Sequence, residues 1–180
     1  MPGTVRDAVL ARAARLRPSA RAVLDAAAIA GPRVEAWLLD ELTAAESASI
    51  DECLATGVLC AQNGVFTFRH ELARDAVLDV LTPTQAMSLH RMVLQALQSR
   101  SASAADLTRL AHHAEGAASH DAVLKLAPAA AREAAARGAH RQAAQQFARA
   151  HRFATAYCAL GARLLDDYAA ECQLGGMVHE

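Results

Sequence analysis

Apolar positions recur at helical spacing over most of the chain. Val5, Val9, Leu10, Ala13 and Leu16 fall near one face of a helix spanning 5–16. A second helix is expected over "RPSARAVLDAAAIAGP", opened by Pro18 and Ser19 and closed by Gly31-Pro32. "VEAWLLDEL" reads as a short third helix burying Trp37, Leu38 and Leu42. "ESASIDECLATG" reads as a fourth, with Ile50, Cys53 and Leu54 inward and Gly57 as its stop. The period then changes. "VLCAQNGVFTF" places two short apolar runs around Asn63-Gly64, a dipeptide whose tolerance of positive φ makes it a strong hairpin signal. Phe66 and Phe68 share one strand face, and Val65 and Thr67 the other.

From Glu71 the helical period returns. "ELARDAVLDVL" runs to Thr82, where "TPTQ" combines a T-x-x-Q capping box with proline at the first helical position. The helix it opens puts Leu89, Met92 or Val93, and Leu97 on one stripe. "SASAADLTRLAHHAEGA" begins another, with Ser103 as cap and Asp106 in its first turn. "HDAVLKLAPAAAREAAARGA" is a helix expected to be disturbed near Pro128. "HRQAAQQFARAHRFA" and "TAYCALGARLLDDYAAECQLG" complete the series. Three helices and then a hairpin is the order of a winged-helix domain. Ala143, Phe147 and Ala150 have the A-x3-F-x2-A spacing of a tetratricopeptide second helix. Ala131 stands where that repeat wants a small residue, and Tyr168 about where the next repeat wants an aromatic. An irregular helical bundle accommodates the same alanine-rich pattern. The expected fold is thus mostly α. Residues 1–16 form a leading helix, 17–82 a winged-helix domain with one β-hairpin, and 83–180 a tetratricopeptide-like helical array.

Composition qualifies this picture. Of 180 residues, 53% are hydrophobic but only 4% aromatic, so the helices must pack closely through alanine. The net charge of -1 gives no overall field toward nucleic acid or an anionic membrane. There is no signal-peptide core and no run of membrane-spanning length, so a cytoplasmic protein is expected. Cys53, Cys60, Cys158 and Cys172 form no CxxC pair, and free thiols are the default.

The local distribution of charge bears on DNA. Residues 34–68 contain no Lys or Arg and six acids: Glu35, Asp40, Glu41, Glu46, Asp51 and Glu52. The would-be recognition helix, 46–56, is therefore acidic, and a polyanion is repelled by such a face. The same fold facing a protein is the better expectation, with a stand-alone winged-helix DNA-binding repressor as the alternative. No catalytic constellation is present. His70 and Glu71 begin like a zinc-protease helix, but the position that would supply the second ligand is Arg74. His112 and His113 are adjacent, so on a helix they diverge. No metal site and no phosphate-binding glycine loop is expected.

"VRDAVLARAARL", "ARAVLDAAAIAG", "FRHELARDAVLDVL", "LHRMVLQAL", "LAHHAEGA" and "APAAAREAAARGAHRQAAQQFARA", in that order, resemble the middle of large bacterial LuxR-type transcriptional regulators that carry a STAND ATPase module. The resemblance implies a chain segment that follows an ATPase core, with a winged helix closing on that core. Helices would then bind a protein or small-molecule effector, and a C-terminal HTH would bind DNA. Walker motifs and the terminal HTH are not in this sequence, so ATP or ADP is expected in the parent protein and no cofactor in this segment. The resemblance also implies a role for "FRHELARDA". In related STAND ATPases an MHD motif sets its histidine near the ADP β-phosphate. His70 matches that histidine and Glu71 the acid, while Arg69 stands where Met is common. His70 and Arg69 are therefore the candidate nucleotide-sensing residues. Local helix capping by His70 is the plain alternative.

Overall fold

The computed structural model describes residues 5–43, 47–100, 107–154 and 158–177. The chain is mostly α-helical with one small antiparallel sheet, and it divides into two compact units, Met1–Ala96 and Leu97–Glu180. No described helix is long and apolar enough to cross a membrane.

The first unit runs α1 (Val5–Ala13), α2 (Pro18–Ala30), β1 (Arg33–Glu35), α3 (Ala36–Thr43), α4 (Ser47–Ala55), β2 (Leu59–Gln62), β3 (Val65–Phe68) and α5 (Glu71–Leu78). The division between units falls inside α6 (Pro83–Ser99). α2 is the hub. Its Val23, Leu24 and Ala26–Ile29 are buried, and it packs on α3, α4 and α5. The hairpin forms as expected, with Asn63 and Gly64 at φ +51° and +73°, the left-handed pair of a type I′ turn. The TPTQ cap also forms. Thr82 N–H donates to Gln85 Oε1 at 3.0 Å, and Gln85 N–H to Thr82 Oγ1 at 3.3 Å.

Several expectations are corrected. Val34 and Glu35 belong to a strand, not to the third helix, because β3 has β2 on one edge only and β1 pairs with the other (Val34 opposite Phe66), giving the order β1-β3-β2. Unpaired strand groups in a buried position are costly, which is what recruits so short a segment. Trp37 is only half-buried, whereas Leu38, Leu39 and Leu42 are buried. The inward face of α4 runs through Ser49 and Cys53, with Ile50 and Leu54 half-buried. Ser49 Oγ–H donates to Ser19 Oγ at 2.9 Å, and the Cys53 thiol to the Ala20 carbonyl at 3.0 Å. Burial, and then the charge of Glu52, push the Cys53 thiol up to about 11. α1 and α5 stop at Ala13 and Leu78, short of the expected 16 and 82. In α6 the buried residues are Val93, Leu94, Ala96 and Leu97, while Met92 is exposed.

The second unit contains α7 (Leu107–Gly116), α8 (His120–Ala136), α9 (His140–Phe153) and α10 (Cys158–Leu174). Ser103 and Asp106 lie outside the described residues. Each of α8, α9 and α10 packs chiefly on its neighbour in the chain. Ala127, Ala130, Ala131 and Ala134 of α8, with Ala143, Ala144, Phe147 and Ala150 of α9, are all buried. Pro128 does not break α8, which runs continuously through it with the proline itself buried. Packing against α7 and α9 on either side offsets the backbone hydrogen bond that proline cannot donate. A polar ladder joins α7 to α9. Gln142 Nε2–H donates to Thr108 Oγ1 at 3.3 Å, and Arg149 Nε–H to Glu115 Oε2 at 2.7 Å. Both bonds link residues 34 apart, so α7 and α9 lie parallel and in register, with α8 returning between them.

Candidate functional site

The β3–α5 junction is the most chemically distinctive feature of the first unit. β3 ends at Phe68. Arg69 N–H then donates to the Val58 carbonyl at 3.0 Å, which extends the strand pairing by one bond. Arg69 Nε–H also donates to the Gly57 carbonyl at 2.9 Å. Gly57 has φ +69°, where an L side chain is strained, so glycine allows the chain to leave α4 and bring this carbonyl to Arg69. His70 occupies the N-cap position of α5 with extended backbone (φ -141°, ψ 140°), but its side chain makes no capping hydrogen bond. The imidazole is exposed and remains available to a ligand.

His70 and Arg69 line a cavity of about 230 Å³ with Gly57, Val58 and Ala73, and α1 closes the other wall with Ala8, Val9 and Arg12. α1 is seated on α5, with Val9 and Ala13 buried, and an ion pair from Arg6 to Asp79 ties it beyond the far end of α5. Three groups that carry or can carry positive charge thus surround a small space whose lining contains no carboxylate. The adjacent Glu71 is engaged by Arg74 Nη1 at 2.9 Å, and Arg74 Nε–H caps the Ala28 carbonyl of α2 at 2.9 Å. Arg74 is therefore a structural residue that links α5 to α2. The arrangement can hold an anionic oxygen group by charge-assisted hydrogen bonds. Sequence reasoning identified Arg69 and His70 but missed Arg12. Nothing in the local pattern around Arg12 marks it, because its partners stand more than fifty residues away.

The other candidates are less organised. Asp40, Glu41 and Asp51 are exposed on α3 and α4. Glu52 accepts from the Arg17 backbone N–H at 2.8 Å and from its Nε–H at 2.6 Å, and these bonds hold its carboxyl below the usual range. His113 is buried and His112 exposed, but the rings do not diverge as expected and meet edge to face, with centroids 5.1 Å apart. Cys60 and Cys172 are half-buried free thiols.

In the second unit Glu115 is the most heavily used acid, bound by both Arg149 and Arg152. Burial raises its pKa, but the hydrogen bonds and charges of Arg152 and Arg149 outweigh burial, so the carboxyl lies below its ordinary value. The folded form therefore gains stability from this group above the unfolded carboxylate pKa. That contribution is lost as pH falls through the unfolded and then the folded value. Urea unfolding of the chain and of Glu115→Gln is expected to show a stability difference near neutral pH that shrinks toward about pH 3. A difference independent of pH would contradict the assignment.

Comparison with family models, with curated proteins and with solved structures finds no match for the chain.

Proposed function

We propose that this chain is a regulatory, signal-transducing segment of a bacterial LuxR-type regulator with a STAND ATPase module. In this reading the first unit is a winged helix that closes on an ATPase core, and the second is a tetratricopeptide-like array that binds a protein or small-molecule effector. The single observation that carries the reading is the cavity at the β3–α5 junction, where Arg12, Arg69 and His70 surround a carboxylate-free space. His70 and Arg69 would read the phosphate of ADP or ATP held by the core, and Arg12 would add a third donor from α1. An exposed imidazole at a helix start can donate to a phosphate.

Two features of the fold support the architecture. The order α2-β1-α3-α4-β2-β3 with sheet order β1-β3-β2 supports the winged-helix reading, in which β2 and β3 would be the wing. Two of the three described side-chain bonds between α7 and α9 span 34 residues, the tetratricopeptide period, and the third, from Arg152 to Glu115, spans 37. Duplex DNA is a poor partner for α4, whose described charged residues are Asp51 and Glu52.

The test uses the chain joined to its ATPase core. His70→Ala is expected to change the rate at which bound ADP is lost, with Arg69→Gln acting in the same direction. Unchanged ADP release in both variants would sink the sensor reading.

A further inference from the structure

One wall of the β3–α5 cavity is α1, and α1 is weakly held. Arg6 pairs with Asp79, just past the end of α5, while Arg12 lines the cavity with His70 at the start of α5. α1 therefore runs antiparallel along α5. Among its described residues only Val9 and Ala13 are buried, so its apolar seat is small. The Arg6–Asp79 pair is exposed, and exposed pairs contribute little. The two ends of α1 thus differ. One meets an opposite charge. The other brings the permanent cation of Arg12 to the permanent cation of Arg69, with no carboxylate in the cavity lining. Like charges at that end oppose docking.

We infer that an oxyanion seated in this cavity is the clamp that holds α1 on α5. The inference rests on the reading of the cavity as a phosphate site and adds its regulation, since occupancy sets whether α1 is docked. Arg69 Nε–H is taken by the Gly57 carbonyl, which leaves the Nη groups to donate. Arg12 donates from α1 and the His70 ring N–H from the start of α5, so charge-assisted bonds to one anion bridge the two helices. α5 has no side-chain cap, and the positive end of its dipole adds to the attraction. The cavity of about 230 Å³ is smaller than pockets that enclose a whole ligand, which run from about 300 Å³ upward. It takes a phosphate or diphosphate and leaves a nucleoside outside. Inorganic pyrophosphate should therefore act without base or ribose. In the proposed architecture the ATPase core precedes α1 in the chain, so the state of α1 would carry occupancy back to the core.

Amide hydrogen exchange of the full chain tests the clamp, with sodium chloride holding ionic strength constant so that screening does not change. Amides 9–13 are those bonded within α1. Pyrophosphate at about ten times its dissociation constant should slow their exchange about tenfold, because only the docked form binds it. Arg12→Glu gives Arg69 and His70 a carboxylate from α1 itself. It should slow the same amides without pyrophosphate and abolish the response. Arg12 is exposed, so the substitution leaves folding intact, which circular dichroism checks. Slower exchange in α2 but not in α1 would mean that the anion binds without docking α1. That result overturns the clamp and keeps the phosphate-site reading. A response retained in Arg12→Glu also overturns the clamp. So does unchanged exchange in both helices up to about 20 mM pyrophosphate, beyond the millimolar affinity that a small open site supplies. The sensor reading would still stand or fall by ADP release from the chain joined to its core.

Discussion

Leu38→Ala is expected to destabilise the first unit by about 2–5 kcal/mol, because the leucine is fully buried and its removal leaves a cavity. Leu38 lies in α3, which packs on α2 and contacts β1. The side chain is thus part of the buried core of the first unit. Each of these elements is short, so none can move far to fill the space without breaking its own hydrogen bonds. The midpoint in urea should fall by roughly 1–3 M, given slopes of about 1–3 kcal/mol per molar for a domain of this size. Trp37 is the only tryptophan and stands next to Leu38, so fluorescence reports this unit selectively. A midpoint shift below about 0.3 M would mean that the site collapses around the smaller residue and is not a rigid part of the core.

How much of this was legible in sequence depended on how local the cause was. The Asn63-Gly64 turn and the Thr82–Gln85 cap each involve residues within three positions of one another, and both form as read. The small-residue face of α9 was legible because helical spacing alone brings Ala143, Phe147 and Ala150 together. β1 was not legible. Three residues have no measurable period, and what makes them a strand is the free edge of β3 thirty residues later. The α4 face was misjudged for a similar reason. Apolar spacing placed Cys53 inward correctly but set Ile50 and Leu54 beside it, whereas the partner helix offers Ser19 and the Ala20 carbonyl, which suit Ser49 and Cys53.

The candidate site divides in the same way. The place of Arg69 and His70 where a strand hands directly to a helix was legible from the change of period, while their candidacy as a site rests on the resemblance. Arg12 was not legible, since its place at the cavity depends on α1 docking against α5. Charge was legible as a tally but not as pairing. The acidity of α4 could be counted, while the engagement of Glu52 by Arg17 required the fold. Arg74 is the clearest case. Its position removed a zinc reading from the sequence, but its work in the structure is to cap the Ala28 carbonyl and hold Glu71.

Ala131→Leu should destabilise the second unit by about 1–3 kcal/mol through overpacking. Ala131 is fully buried in α8 and flanked by Ala127, Ala130 and Ala134 in the same helix, all facing inward. With α9 contributing Ala143, Ala144 and Ala150 to the core, the two helices meet through small side chains and can approach near the short end of the 8–10 Å range. Three extra heavy atoms cannot be absorbed by rotamer changes where the surrounding side chains are alanine, so the helices must separate. Separation would strain the α7–α9 ladder as well, because α8 lies between those helices in the chain and packs on both. Helix loss followed by far-UV circular dichroism should therefore occur at lower denaturant, while the Trp37 fluorescence transition of the first unit keeps its midpoint. Arg132→Leu, one residue along α8 and exposed, adds the same side chain on the solvent face and should change stability by no more than about 0.5 kcal/mol. If both substitutions proved equally mild, α8 and α9 would have to be loosely packed. The alanine-rich composition would then reflect helix propensity alone, without close helix contact.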